Sequence, residues 1–220
     1  MDWQQALYPL GLIASMFFGL RVFYQWYWAE KKGASIVTKG FWFLSFTGNC
    51  LMMIHAFIQM QLPISLVQAG HLWIARRNLI LMNQEKKKGR PLLGFLAVIT
   101  SVFLLYLLQC SLLNRWEFFR IPTFPWGASN QSSASILWQI CGLLGIILFA
   151  SRFWIQWYWA EKAQASSLST GFWIMSLLGT IFSIAYFCHT RDYVNAVSPI
   201  CGIIPYFRNL LYLRREPRIS

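Results

Sequence analysis

The chain has 220 residues, of which 57% are hydrophobic, 18% aromatic and only 12% charged, with a formal net charge of +12 at pH 7. Soluble domains carry about 25% charged residues, and a soluble fold of this composition would leave large apolar patches exposed. The basic excess does not read as a nucleic-acid footprint either, because Lys and Arg stand beside hydrophobic runs rather than along a solvated stripe.

A polytopic membrane protein remains, and at roughly 20 residues per span the length holds about seven helices. Asp2 is the only charge before Arg21, and no small-x-small site follows. The N-terminus is therefore expected to be a first membrane helix rather than a cleaved signal peptide. Apolar runs follow one another near Leu7–Trp28, Gly40–Met60, Leu62–Met82, Leu92–Leu113, Ala134–Trp159, Gly171–Cys188 and Tyr193–Leu213. Almost nothing separates the second from the third, or the sixth from the seventh, so each pair is expected to be a tight antiparallel hairpin. The segment Asn114–Ser135 mixes aromatics with prolines and a polar run, and reads as a linker anchored at the headgroups. The five cysteines lie inside apolar runs with no metal spacing, and neither a metal nor a cofactor is expected.

Threading seven spans places 16 of the 19 Lys and Arg residues on one side, leaving only Arg115, Arg120 and Arg191 on the other. The positive-inside rule then puts the N-terminus outside, in the periplasm, and the C-terminus in the cytoplasm.

The sequence also repeats itself. A shift of 131 residues aligns Arg21–Gly48 with Arg152–Gly179, with 15 of 28 positions identical. The shared core is Gln25-Trp26-Tyr27-Trp28-Ala29-Glu30-Lys31 against Gln156-Trp157-Tyr158-Trp159-Ala160-Glu161-Lys162. Ser35, Gly40-Phe41-Trp42, Ser45 and Gly48 recur as Ser166, Gly171-Phe172-Trp173, Ser176 and Gly179, and Arg77-Asn78-Leu79 recurs as Arg208-Asn209-Leu210. Each copy holds three spans, and the unrepeated fourth carries the chain back so that the copies lie parallel. The expected fold is an all-α integral membrane protein: two parallel three-helix bundles joined by a linker helix, the 3+1+3 pattern of SWEET-type carriers. Its domains are residues 1–85, a linker helix and external loop over 86–133, and residues 134–220.

These paired motifs resemble the lipid A biosynthesis N-terminal domain family, and the tandem form is especially similar to the N-terminal membrane extension of chlamydial-type lipid-A-disaccharide synthase. The sequence departs from the family pattern at Ala29 and Ala160, where Ser is usual, and at Thr38 and Ser169, where Pro is usual. Ala75 stands where Tyr206 supplies an aromatic in the second copy. The resemblance implies a link to lipid A assembly at a bacterial inner membrane. It does not supply the synthase reaction, since this chain has no room for a two-lobed glycosyltransferase domain and carries no phosphate loop or nucleophile elbow.

Arg21, Gln25 and Trp28 share one helical face at i, i+4 and i+7, as do Arg152, Gln156 and Trp159. Arginine near a span's centre costs on the order of 3 kcal/mol and faces a cavity or a partner. With Arg77, Asn78, Arg208 and Asn209 these residues make a candidate ligand-binding set for an anionic lipid, guanidinium forks matching phosphate geometry. Snorkelling to lipid phosphates is the alternative. Glu30 and Glu161 accept from an arginine, carry protons or stand solvated, and Ser45/Gly48 and Ser176/Gly179 read as helix-packing contacts. No catalytic residues are assigned. The expected partners are the membrane, an anionic lipid or lipid A precursor, and a soluble lipid A enzyme recruited through Lys86–Arg90 and the C-terminal tail. The rival functions are a SWEET-like carrier of a small neutral solute, and a membrane anchor for that enzyme.

Overall fold

The computed structural model describes residues 3–83, 90–117, 136–189 and 193–215. Its elements are helices: α1 (Trp3–Ala6), α2 (Pro9–Lys32), α3 (Lys39–Ile58), α4 (Leu62–Met82), α5 (Pro91–Leu113), α6 (Ile136–Ala163), α7 (Thr170–His189) and α8 (Tyr193–Arg215). The basic loop at Lys86–Lys88, most of the aromatic external segment and the C-terminal tail lie outside the described residues.

The seven long helices match the seven apolar runs to within four residues at every edge. The largest overruns are at α2 and α6, which continue past Trp28 and Trp159 through an Ala-Glu-Lys step. Those residues are good helix formers, and a lysine in the last turn suits the negative end of the helix dipole. Both helices then stop on a residue in the left-handed region, Gly33 at φ 64° and Gln164 at φ 51°. Each stop is closed by a backbone bond five residues back, Ala34 N–H to Ala29 O and Ala165 N–H to Ala160 O. The short α1 has no sequence signal and was not expected.

Among the described residues, α3, α5, α6 and α7 are long and apolar enough to cross a membrane. The other three long helices, α2, α4 and α8, carry Arg21, Gln25, Arg77, Asn78, Arg208 and Asn209, while Arg152 and Gln156 lie on α6. On α5 and α6, Leu104, Leu108, Leu112, Ile136 and Leu137 are more than half exposed, the disposition of side chains meant for lipid rather than water.

The chain divides into two compact units, residues 1–21 with 39–128 and residues 22–38 with 129–220, so that the division falls inside α2. In the first unit α3 packs on α4 and α4 on α5. The α3–α4 turn is held by Met60 at φ 57° and by Gln61 N–H bonding Ala56 O at 2.9 Å. Gln59 and Gln4 clamp this turn through reciprocal side-chain bonds to Gln4 O and Ile58 O. Met60 and Leu62 then form a core with Tyr106 and Cys110 of α5.

In the second unit α6 packs on α7 and α7 on α8. Two glycines let α6 and α7 approach at backbone distance. A Cβ on Gly145 would stand 2.7 Å from Ser183 Oγ and 3.1 Å from its backbone nitrogen, and a Cβ on Gly179 would lie 3.3 Å from Gly145 O. Small residues at helix interfaces play this part in membranes, where lipid removes the hydrophobic drive between helices.

Gly145→Val is expected to destabilise the protein by about 1–3 kcal/mol through overpacking. Gly19→Ala, where an added Cβ meets nothing within 4 Å, is expected to stabilise it by about 0.5–1 kcal/mol. Thermal unfolding of both variants in one detergent checks the contrast, and equal shifts would contradict it. Gln164→Gly relieves the left-handed strain that Gly33 avoids at the matching position. It should stabilise the protein by about 0.5–1 kcal/mol after loss of the Gln164 side-chain bond to Glu161 O, read as a raised unfolding midpoint.

Candidate anion site

Arg152 is 6% exposed. One guanidinium nitrogen, Nη1, donates to Ser176 Oγ at 3.0 Å and to Tyr206 Oη at 3.4 Å. Four rings wall the cation, with Phe149, Phe153, Phe172 and Tyr206 centroids 4.5, 5.0, 5.4 and 5.7 Å from Cζ. Ser176 donates its own proton to Phe172 O at 2.7 Å, so towards arginine it can only accept. No carboxylate pairs with Arg152 among the described residues, and its Nε–H is buried with no acceptor.

On the helix that carries Ser176, two more buried polar atoms have no partner, Trp173 Nε1 and Thr180 Oγ1. Trp173, Ser176 and Thr180 share one face of α7 at i, i+3 and i+7, and the Trp173 ring lies 5.9 Å from the Tyr206 ring. Aromatic faces offset part of the desolvation of a buried guanidinium, about 2 kcal/mol or more for a good contact. They supply no counter-charge.

The first unit carries the same construction in simpler form. Arg21 Nη1 donates to Ser45 Oγ at 3.4 Å, Ser45 donates to Phe41 O at 2.8 Å, and the Phe18 centroid lies 4.8 Å from the guanidinium. Ala75 occupies the position that matches Tyr206, so no phenol reaches Arg21 from there.

The remaining candidate residues have varied fates. Arg77 is buried at 6% exposure in the first unit, and Asn78 bonds Ile74 O at 2.9 Å. In the second unit Gln25 and Asn209 face each other as a reciprocal amide pair at 2.7 and 3.1 Å. Ser35 donates to the same Asn209 oxygen at 2.9 Å. Gln25 and Gln156 each also tie the loop that follows their helix, through Ile36 O and Ser167 O. The Trp28 indole N–H is buried without an acceptor, whereas Trp159 is 48% exposed with Lys162 5.2 Å from its ring. Arg208 does not stand open: it forks onto Glu30, with Nε to Oε1 and Nη2 to Oε2 both at 2.6 Å. Of the readings open for Glu30, the structure shows the arginine-bound one.

Sequence reasoning treated Ser45 and Ser176 as packing residues, although their recurrence three positions before a recurring glycine marked them. It passed over Tyr212, which donates to Glu30 at 2.7 Å. Tyr212 matches Leu81 at the repeat offset, so a search for duplicated residues could not reach it.

The family model described as Lipid A Biosynthesis N-terminal domain matches this chain twice, over residues 10–80 and 141–211. A lipid-A-disaccharide synthase of Chlamydia trachomatis serovar D is 38% identical over 216 residues, covering 96% of this chain and 34% of the relative. The Chlamydia muridarum protein of that name is 38% identical over 217 residues, and the Chlamydia pneumoniae one 31% identical over 216, with the same coverage. The chain thus spans about a third of the length of the curated relatives it matches. No solved structure matches it.

Hydrogen bonds from Arg208, then from Tyr212, hold the Glu30 carboxyl down at about 2 from its ordinary 4.5, with burial opposing them. A carboxyl depressed on folding stabilises the protein fully above its unfolded value and loses that contribution as pH falls through the folded one. The difference in thermal midpoint between wild type and Glu30→Gln is therefore expected to be constant well above pH 4.5, to shrink as pH falls below it and to be mostly lost by pH 2. A difference that persists unchanged down to pH 2 would refute the pairing.

Proposed function

The chain belongs to the Lipid A Biosynthesis N-terminal domain family, and from that premise we propose a membrane module that binds, presents or moves an anionic lipid precursor of lipid A at the cytoplasmic side. In this reading residues 1–85 and 134–220 are parallel three-helix modules of a seven-span protein in the bacterial inner membrane, N-terminus periplasmic and C-terminus cytoplasmic. The lysine and arginine asymmetry supports that orientation.

The observation that carries the reading is Arg152. A fully buried cation costs several kcal/mol unless charge and hydrogen bonds compensate it, and here serine, phenol and ring faces do so only in part. A phosphate oxygen would bring the missing charge and accept from Nε–H, and the unspent Trp173 N–H offers a second donor nearby. Arg21, with its own serine and phenyl partners, supports a second seat of the same chemistry. A neutral sugar gives no return on desolvating these cations, which weighs against a SWEET-like carrier. The names and lengths of the chlamydial relatives favour a companion role, as the membrane module that delivers lipid to a synthase domain.

Native mass spectrometry of the detergent-purified protein tests this. Wild type is expected to retain a phosphorylated lipid, and Arg152→Gln to lose it while still expressing in the membrane. Equal retention by both would sink the proposal and leave the arginine as a packing element.

A further inference from the structure

The Glu30 carboxylate sits in a receptor of unusual completeness for a helix end. Its two oxygens take both arms of the Arg208 fork at 2.6 Å, the Tyr212 hydroxyl at 2.7 Å and the Trp26 indole N–H at 3.0 Å. Arg208 also donates to Tyr212 at 2.8 Å, which orients the phenol proton towards the carboxylate. Three of the four donor contacts come from α8, from two residues at i and i+4. They would stay assembled if the Glu30 side chain turned away.

Arg208 and Glu30 are 38% and 35% exposed, so another anion can reach the seat without unpacking the helices. Arg208 and Tyr206 are two residues apart on α8, about 200° around the helix. The seat is therefore separate from the cluster in which Tyr206 meets Arg152.

Resting on the anionic-lipid reading above, we propose that Arg208 and Tyr212 form a docking seat for a phosphate monoester headgroup, which the Glu30 carboxylate occupies in this structure and yields to it. The fork that receives a carboxylate edge-on receives two phosphate oxygens in the same way. A dianion outcompetes a monoanion for a partly exposed cation. Glu30 thereby sets a threshold: neutral lipids and weakly held anions leave the seat closed, and a phosphate monoester opens it. A simple latch between α2 and α8 would use the same bonds but would show no preference for phosphate when Glu30 is neutralised.

The test uses the full chain in phosphatidylcholine nanodiscs. In one arm the discs contain phosphatidic acid, and in the other inorganic phosphate is added to the buffer, with phosphorus NMR as the readout. Glu30→Gln is expected to tighten phosphatidic acid about fivefold, the worth of one exposed ion pair, and Arg208→Gln to weaken it. Tyr212→Phe, which keeps the fork and removes one donor, should weaken binding less than Arg208→Gln, and it keeps the proposal testable if Glu30→Gln unfolds. Tightening confined to inorganic phosphate would keep the seat and make its ligand soluble. Unchanged affinity in Glu30→Gln, with its thermal midpoint lowered, would overturn the seat and leave a latch. If Arg152→Gln alone abolishes lipid retention in that case, the lipid reading survives the loss of this seat.

Discussion

The structure depends on holding an arginine inside a helical membrane protein without a carboxylate beside it. The solution at Arg152 is a serine whose hydroxyl proton is already spent on a helix carbonyl four residues back, leaving only lone pairs to face the guanidinium. Phenyl rings cover the remaining faces. Serine in this role costs the helix little, because its side chain replaces no backbone bond. Three residues on, Gly179 removes the side chain that would hold α6 and α7 apart, so the short serine can reach the arginine. Charge, hydroxyl and glycine work as one set, and at Arg21, Ser45 and Gly48 the same set appears again, with Gly48 pressed against the Phe18 ring.

Much of this was legible in the sequence. Helix positions followed from runs of apolar residues, since a membrane span leaves little else to read. The duplicated arginines, glutamines and asparagines drew attention because polar residues in such runs are expensive. What they bind in this structure was not legible. Gln25 and Gln156 look like ligand donors on a helical wheel, yet both brace the loop after their own helix. Glutamine at the last turns of a helix has a free backbone carbonyl within reach, and periodicity cannot tell this use from ligand binding. Gln25 is further committed to Asn209, 184 residues away in sequence, a distance at which local pattern carries no information.

Tyr212 shows a second limit. Reading one copy against the other selects residues that stayed the same, so it passes over whatever changed. Ala75 stands opposite Tyr206 and Leu81 opposite Tyr212 at the matched positions, and both phenols touch an arginine. The two phenols lie on different faces of α8, and each meets a different arginine.

That placement bears on how the two halves divide their labour. At these matched positions the hydroxyls of Tyr206 and Tyr212 stand in the second copy alone. Added to α8, they turn a bare cation into a directed set of donors: Tyr206 orients the buried guanidinium of Arg152, and Tyr212 completes the donors around the exposed fork of Arg208. Pro199 and Pro205 lie inside the same helix. Each withholds one backbone N–H, which leaves a helix carbonyl four residues earlier without its usual donor. Asn209 donates through its side-chain amide to Pro205 O at 2.8 Å, and the same amide meets Gln25. The last helix is thus the most polar, the most interrupted and the most differentiated from its matched counterpart. Within α8, Tyr206 and Tyr212 are the residues that set the second copy apart from the first beside Arg152 and Arg208.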